Sequence, residues 1–129
     1  MANLRCYDPN DAGGGMHEWY DGLPAGVQAA IDATLEDLLD ETDLDNLPQF
    51  KALRGACYGL DEILVDIFGN GKYRILCFRG PDRGDVTLLF GFEKTTSGNV
   101  AYGPHCHSAN WRKDGVIRDG RRAPACRFP

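Results

Sequence analysis

The sequence predicts an α+β domain in which N-terminal helices pack on a small, mainly antiparallel sheet and a basic segment ends the chain. Three observations carry this. Val27, Ile31, Leu35 and Leu38 recur at helical spacing and leave Asp32, Glu36, Asp37, Asp40 and Glu41 mostly on the other face. Three strand-like runs, Leu60–Phe68, Lys72–Arg79 and Val86–Phe92, are separated by Gly/Asn and Gly/Pro/Asp turns. The 129 residues, 43% hydrophobic and 26% charged, suit one core, so a single domain over 1–129 is expected.

In chain order, Leu4–Tyr7 reads as a short strand and Asp8–Gly15, rich in Pro, Asn, Asp and Gly, as a loop. Trp19 and Tyr20 follow. Pro24 then opens the long helix, where its missing N–H does no harm. A second, short helix is expected over Leu47–Leu53, with Pro48 in its first turn and Gly55 ending it. In the next strand Ile63, Val65 and Ile67 point one way and Glu62, Leu64 and Asp66 the other; in the following one Tyr73, Ile75 and Cys77 oppose Arg74, Leu76 and Phe78. A three-residue loop, Gly69 to Gly71, puts Asp66 opposite Arg74 and merges the two apolar sets. A two-residue turn would desolvate Arg74 beside Ile67. Val86–Phe92 is apolar on both faces and is therefore central. The chain loosens from Thr95 to Gly103, and Pro104 opens a last helix carrying Trp111, Arg112 and Lys113. The tail over 118–129 has little to bury and is expected to be mobile.

The net charge of −5 is unevenly placed. Residues 1–66 hold three Lys/Arg against fourteen Asp/Glu, and residues 67–129 eleven against five. A segregated cationic half is the footprint of a polyanion partner, while the acidic half is also explained by a solvated helix face. No apolar run reaches the length of a membrane span and no secretory signal is recognised at the N-terminus, so a cytoplasmic protein is expected. Five cysteines without C-x-x-C spacing are read as reduced thiols, with Cys77 a core residue. His105, Cys106 and His107 form the one cluster of metal-ligand types. Neighbours on one helix or strand rarely converge on an ion, so no metal and no cofactor are expected. His17 is read as structural.

Several short motifs resemble the RelE/ParE superfamily of toxin–antitoxin toxins, and the HigB-like branch in particular. They are Leu53-Arg54-Gly55 ending the helical part, Glu62 in the next strand, Tyr73-Arg74 opening the strand after it, and the run from Leu89 to Thr95 closing the sheet. The resemblance implies a RelE-like fold and a toxin that cleaves messenger RNA as a metal-independent endoribonuclease, commonly on the ribosome, under control of a cognate antitoxin. In such chemistry a ribose 2′-OH attacks its own phosphate, so placed cations and one or two proton-transfer groups suffice.

By resemblance, Arg74 contacts the scissile phosphate and Lys94 is the basic residue after the last strand; His105 or His107 would transfer protons, with Tyr102 in the same segment. Arg79, Trp111, Arg112 and Lys113 are assigned to RNA contact, Trp111 by stacking on a base. The chain departs from the family at Ile63 and Leu64, where a second Lys or Arg is common, and at Glu93, where a paired lysine is usual. These departures remove phosphate-neutralising charge and favour the alternative of a non-catalytic RelE/ParE-fold interaction protein, gyrase-poisoning or partner-binding and possibly phage-encoded. A basic-tail nucleic-acid module is a third class. Arg74 also has a competing use as cross-strand partner of Asp66.

Overall fold

The computed structural model describes residues 3–9, 14–69, 71–95 and 102–129. The elements are β1 (Asn3–Cys6), α1 (Met16–Asp21), α2 (Ala25–Asp40), β2 (Phe50–Ala52), β3 (Asp61–Ile67), β4 (Gly71–Arg79), β5 (Asp85–Glu93) and α3 (Tyr102–Arg118), with single 3-10 turns between some of them. The five strands form one sheet in the order β1-β5-β4-β3-β2, antiparallel except where β1 runs parallel to β5. The fold is therefore α+β, as the periodicities require.

Helix α2 starts after Pro24 and buries the predicted stripe of Val27, Ile31, Leu35 and Leu38. Each such side chain contributes roughly 1.5–3 kcal/mol on leaving water. Strand β4 is buried from Tyr73 to Phe78, which requires cover on both faces. Helix α3 lies over the face carrying Glu62 and Phe78, since Tyr102 bonds Glu62 and Lys113 sits over the Phe78 ring. Helix α2, against β3, covers the face of Ile63, Val65 and Ile75, and Trp19 of α1 lies on Gly91 there.

Four expectations are corrected. The hairpin pairs Ile67 with Gly71, so Leu64, not Asp66, stands opposite Arg74, while Asp66 faces Lys72. The shift is two residues, so every side chain keeps its face and Arg74 reaches Asp66 diagonally. The segment Leu47–Leu53 is no helix: Phe50–Ala52 adds an edge strand to β3, with Phe50 opposite Ile63. The cysteines are not all thiols, because Cys6 is bonded to Cys126 and Cys57 to Cys106, at Cα separations of 4.9 and 5.3 Å, while Cys77 alone is free and buried. Finally, the tail is tied down. Cys6 N–H donates to Pro124 O and Cys126 N–H to Leu4 O; Phe128 is buried and stacks on Tyr20 with centroids 4.0 Å apart. His17 is structural here: its Nδ1 meets Asp8 Oδ2 at 3.1 Å and its Nε2 accepts the Arg127 N–H, which assigns the proton to Nδ1. The loose stretch expected from Thr95 to Gly103 lies, over 96–101, outside the described residues.

No helix among the described residues is long and apolar enough to cross a membrane.

Candidate functional site

Of the residues named by the chemistry, Lys94, Tyr102, His105 and, on the strand beside Phe92, Arg74 lie together where the end of β5 meets the start of α3, with Glu62 of β3 bonded to Tyr102. A cleft of about 530 Å³ opens there, with Arg54, Cys57, Glu62, Lys94, Tyr102 and Gly103 among its walls. Arg54 is exposed on the turn after β2, and Lys94 follows β5, fixed by its own N–H donating to Lys72 O at 2.7 Å. The Lys94 ammonium lies 5.7 Å from the centroid of the Tyr102 ring, and neither cation has a carboxylate partner among the described residues.

Beneath the cleft runs a line of internal charge. Glu62 is buried, and the Tyr102 hydroxyl donates to its Oε2 at 2.8 Å. Burial first, and the Glu62 carboxylate second, push the Tyr102 phenol up to about 12, with Arg74 pulling the other way. A phenol held this far up is a poor base at neutral pH. Arg74 is 4% exposed; its Nη1 donates to Asp66 Oδ1 at 2.6 Å and to Tyr73 O at 2.9 Å, and its buried Nε has no partner among the described residues. Burial disfavours its charge, but Asp66 and Tyr102 more than offset this and hold it protonated. The cation expected to meet a phosphate is thus enclosed and neutralised by a neighbour on its own hairpin.

His105 lies at the same end, stacked on Phe92 with centroids 4.0 Å apart, and desolvation lowers its pKa. His107 is exposed on the outer side of α3. Cys106, between them, is in a disulfide and carries no thiolate for a metal.

The four residues assigned to RNA contact do not form a track. Arg79 ends β4 at the far side of the sheet, paired with Asp45, 3.8 Å from Asp61 and stacked over Phe50. Arg112 donates to the carbonyls of Leu89 and Gly14 at 2.7 Å each and lies over Tyr7 and Phe90. Lys113 donates to Gly59 O at 2.9 Å. Trp111 is 61% exposed on α3. A wider hollow of about 630 Å³ lies by Arg5 and Ile117, at the opposite end of β5, but Arg5 is spent on Asp85 and on the carbonyls of Ala123 and Gly120.

Sequence reasoning ranked Arg74 above Arg54, and the structure reverses their availability. The signal for Arg54 was its place before Gly55, whose φ of +64° lets the chain turn back toward α3. No protein-family model matches the chain, and no curated protein matches it.

Proposed function

We propose that this chain is a non-catalytic interaction domain of RelE/ParE type, which holds an acidic segment of a partner protein in the cleft between Arg54 and Lys94. One observation carries the reading: the guanidinium that an endoribonuclease would aim at phosphate is buried and paired with Asp66. Support for the family comes from the motifs at 53–55, 62, 73–74 and 89–95 and from the strand–helices–strands–helix order, in which a short N-terminal strand joins the last strand of the sheet.

Charge placement favours a protein over a nucleic acid. A phosphate backbone is held by a run of cations, and Arg79, Arg112 and Lys113 are each engaged internally. Two isolated cations suit one or two carboxylates. The C-terminal segment is cross-linked to β1 through Cys6 and Cys126, and persistent disulfides belong to oxidising surroundings, so the compartment is read as oxidising and not as the cytoplasm.

The test uses two probes of similar charge, a fluorescein-labelled hexaglutamate peptide and a labelled hexauridylate. The peptide is expected to bind the oxidised protein and to weaken about tenfold with Arg54→Ala, as the loss of one cation contact implies. Ribosome-bound messenger RNA is expected to stay intact. Metal-independent cleavage of that message, lost in a folded Arg74→Ala variant, would restore the endoribonuclease reading, and tighter binding of the hexauridylate would replace the protein partner by RNA.

A further inference from the structure

We infer that the Cys57–Cys106 disulfide is a redox latch on this cleft: it holds the Arg54-bearing wall against α3, and its reduction releases that wall and weakens binding. The inference rests on the cleft being the binding site, as proposed above, and concerns how that site is regulated.

The two cross-links sit in different surroundings. Cys6–Cys126 joins segments that are tied together many times over. The backbone of β1 bonds Pro124 and Cys126, Arg5 donates to Ala123 O and Gly120 O, Asp8 N–H donates to Arg122 O, and Phe128 stacks on Tyr20. Breaking that disulfide leaves the tail seated. Cys57 belongs to the turn Gly55–Cys57, whose backbone bonds are local: Cys57 N–H donates to Arg54 O, Tyr58 N–H to Gly55 O and Leu60 N–H to Cys57 O. Among the described residues, the hydrogen bond that ties this stretch to α3 is a single one, from Lys113 Nζ to Gly59 O. Leu53 N–H donates to Leu60 O and closes the base of this loop on the sheet, so the covalent bond is the main tie between the turn that follows Arg54 and α3. Cys106 lies one helical turn past Tyr102, so the disulfide bridges the two walls directly.

Cys57 is 7% exposed and Cys106 1%, and Cys57 lines the cleft, so the cleft is the side from which a dithiol reductant would reach the bond. One thiolate of the reductant attacks Cys57 Sγ and breaks the Sγ–Sγ bond; Cys106 leaves as a thiolate and takes a proton. The second thiol of the reductant then attacks the mixed disulfide, freeing Cys57 as a thiol and closing the reductant's own disulfide. Two electrons and two protons pass to the protein. Cys77 takes no part, being enclosed in β4 away from solvent. Opened, the turn samples positions in which its guanidinium no longer faces Lys94, and the lost preorganisation weakens binding.

The test compares the oxidised chain, the Cys57→Ser/Cys106→Ser double variant and the Cys6→Ser/Cys126→Ser double variant. Binding of the labelled hexaglutamate and amide hydrogen exchange over residues 53–59 are measured for each. The first double variant is expected to bind roughly tenfold more weakly, and to exchange faster over 53–59 while the sheet stays protected. The second is expected to keep the binding and the slow exchange over 53–59. Unchanged exchange over 53–59 in the first double variant overturns the latch whatever the binding shows, and so does equal peptide affinity in all three proteins. Faster exchange with no peptide binding by any of them upholds the mobility of the wall and instead overturns the cleft as a binding site.

Discussion

Tyr102 and Tyr20 show how single side chains are used to hold elements together. Each hydroxyl is bonded to a carboxylate, Glu62 and Asp32 respectively, and each phenol is pushed up to about 12, by burial first and by that carboxylate next. Both folded-state values lie above the ordinary value of 10.0 that the unfolded chain has, so the unfolded state loses these protons first as pH rises. The stability they contribute is fully present below pH 10 and is lost as pH climbs from 10 through about 12. Urea unfolding at pH 9 and at pH 11.5 checks this: stability falls over the interval, and Tyr102→Phe flattens the fall. His105 behaves in the opposite sense. Burial against Phe92 lowers its pKa, so its contribution is present above its ordinary value of 6.5 and is lost as pH falls below that, which an imidazole NMR titration reads directly.

Between elements, close approach matters more than composition. Gly91 lies on the face of β5 that meets α1, and a Cβ there would fall 2.5 Å from the Trp19 indole. Gly91→Ala is expected to cost about 1–3 kcal/mol by forcing the ring aside, which thermal unfolding followed by Trp fluorescence checks. The sequence marks Gly91 only as a glycine in a strand; that α1 passes over it is a tertiary fact. The same limit explains β2. Leu47, Phe50 and Leu53 are spaced as a helix would space them, yet pairing with β3 decides the conformation, and no local pattern reports that pairing. By contrast α2, β3, β4 and β5 were legible to within a residue or two, because each repeats its burial pattern several times. The hairpin register was legible in parity alone. Alternation fixes which face Arg74 takes, and the turn geometry that sets its neighbour is not written in the alternation.

For the molecule as a whole, the decisive contacts join residues far apart in sequence. Cys6 and Cys126 are 120 residues apart and Cys57 and Cys106 are 49 apart, so neither pairing carries a spacing signature. An odd count of cysteines suggested free thiols, whereas one of the five is enclosed in the sheet with its thiol pushed well up by burial. Closing so long a loop restricts the unfolded chain strongly. Replacing Cys6 and Cys126 by Ser is expected to lower unfolding free energy by on the order of 3–5 kcal/mol in denaturant titrations of the non-reduced protein. The site follows the same logic. Which cations exist at this end was readable from the chain, and so was Asp66 as a rival partner for Arg74; which use of Arg74 wins was not, because that carboxylate reaches it diagonally across a hairpin.

Arginine accessibility reads out whether the Arg74 guanidinium is closed to a phosphate. The oxidised protein is treated with phenylglyoxal and the modified positions are timed by peptide mass spectrometry. Arg54, exposed at the cleft, is expected to react early, and Arg74, 4% exposed and bonded to Asp66, to stay protected until the chain unfolds. Modification of Arg74 as fast as that of Arg54 in the folded protein would contradict the account, since the guanidinium would then be open to a phosphate.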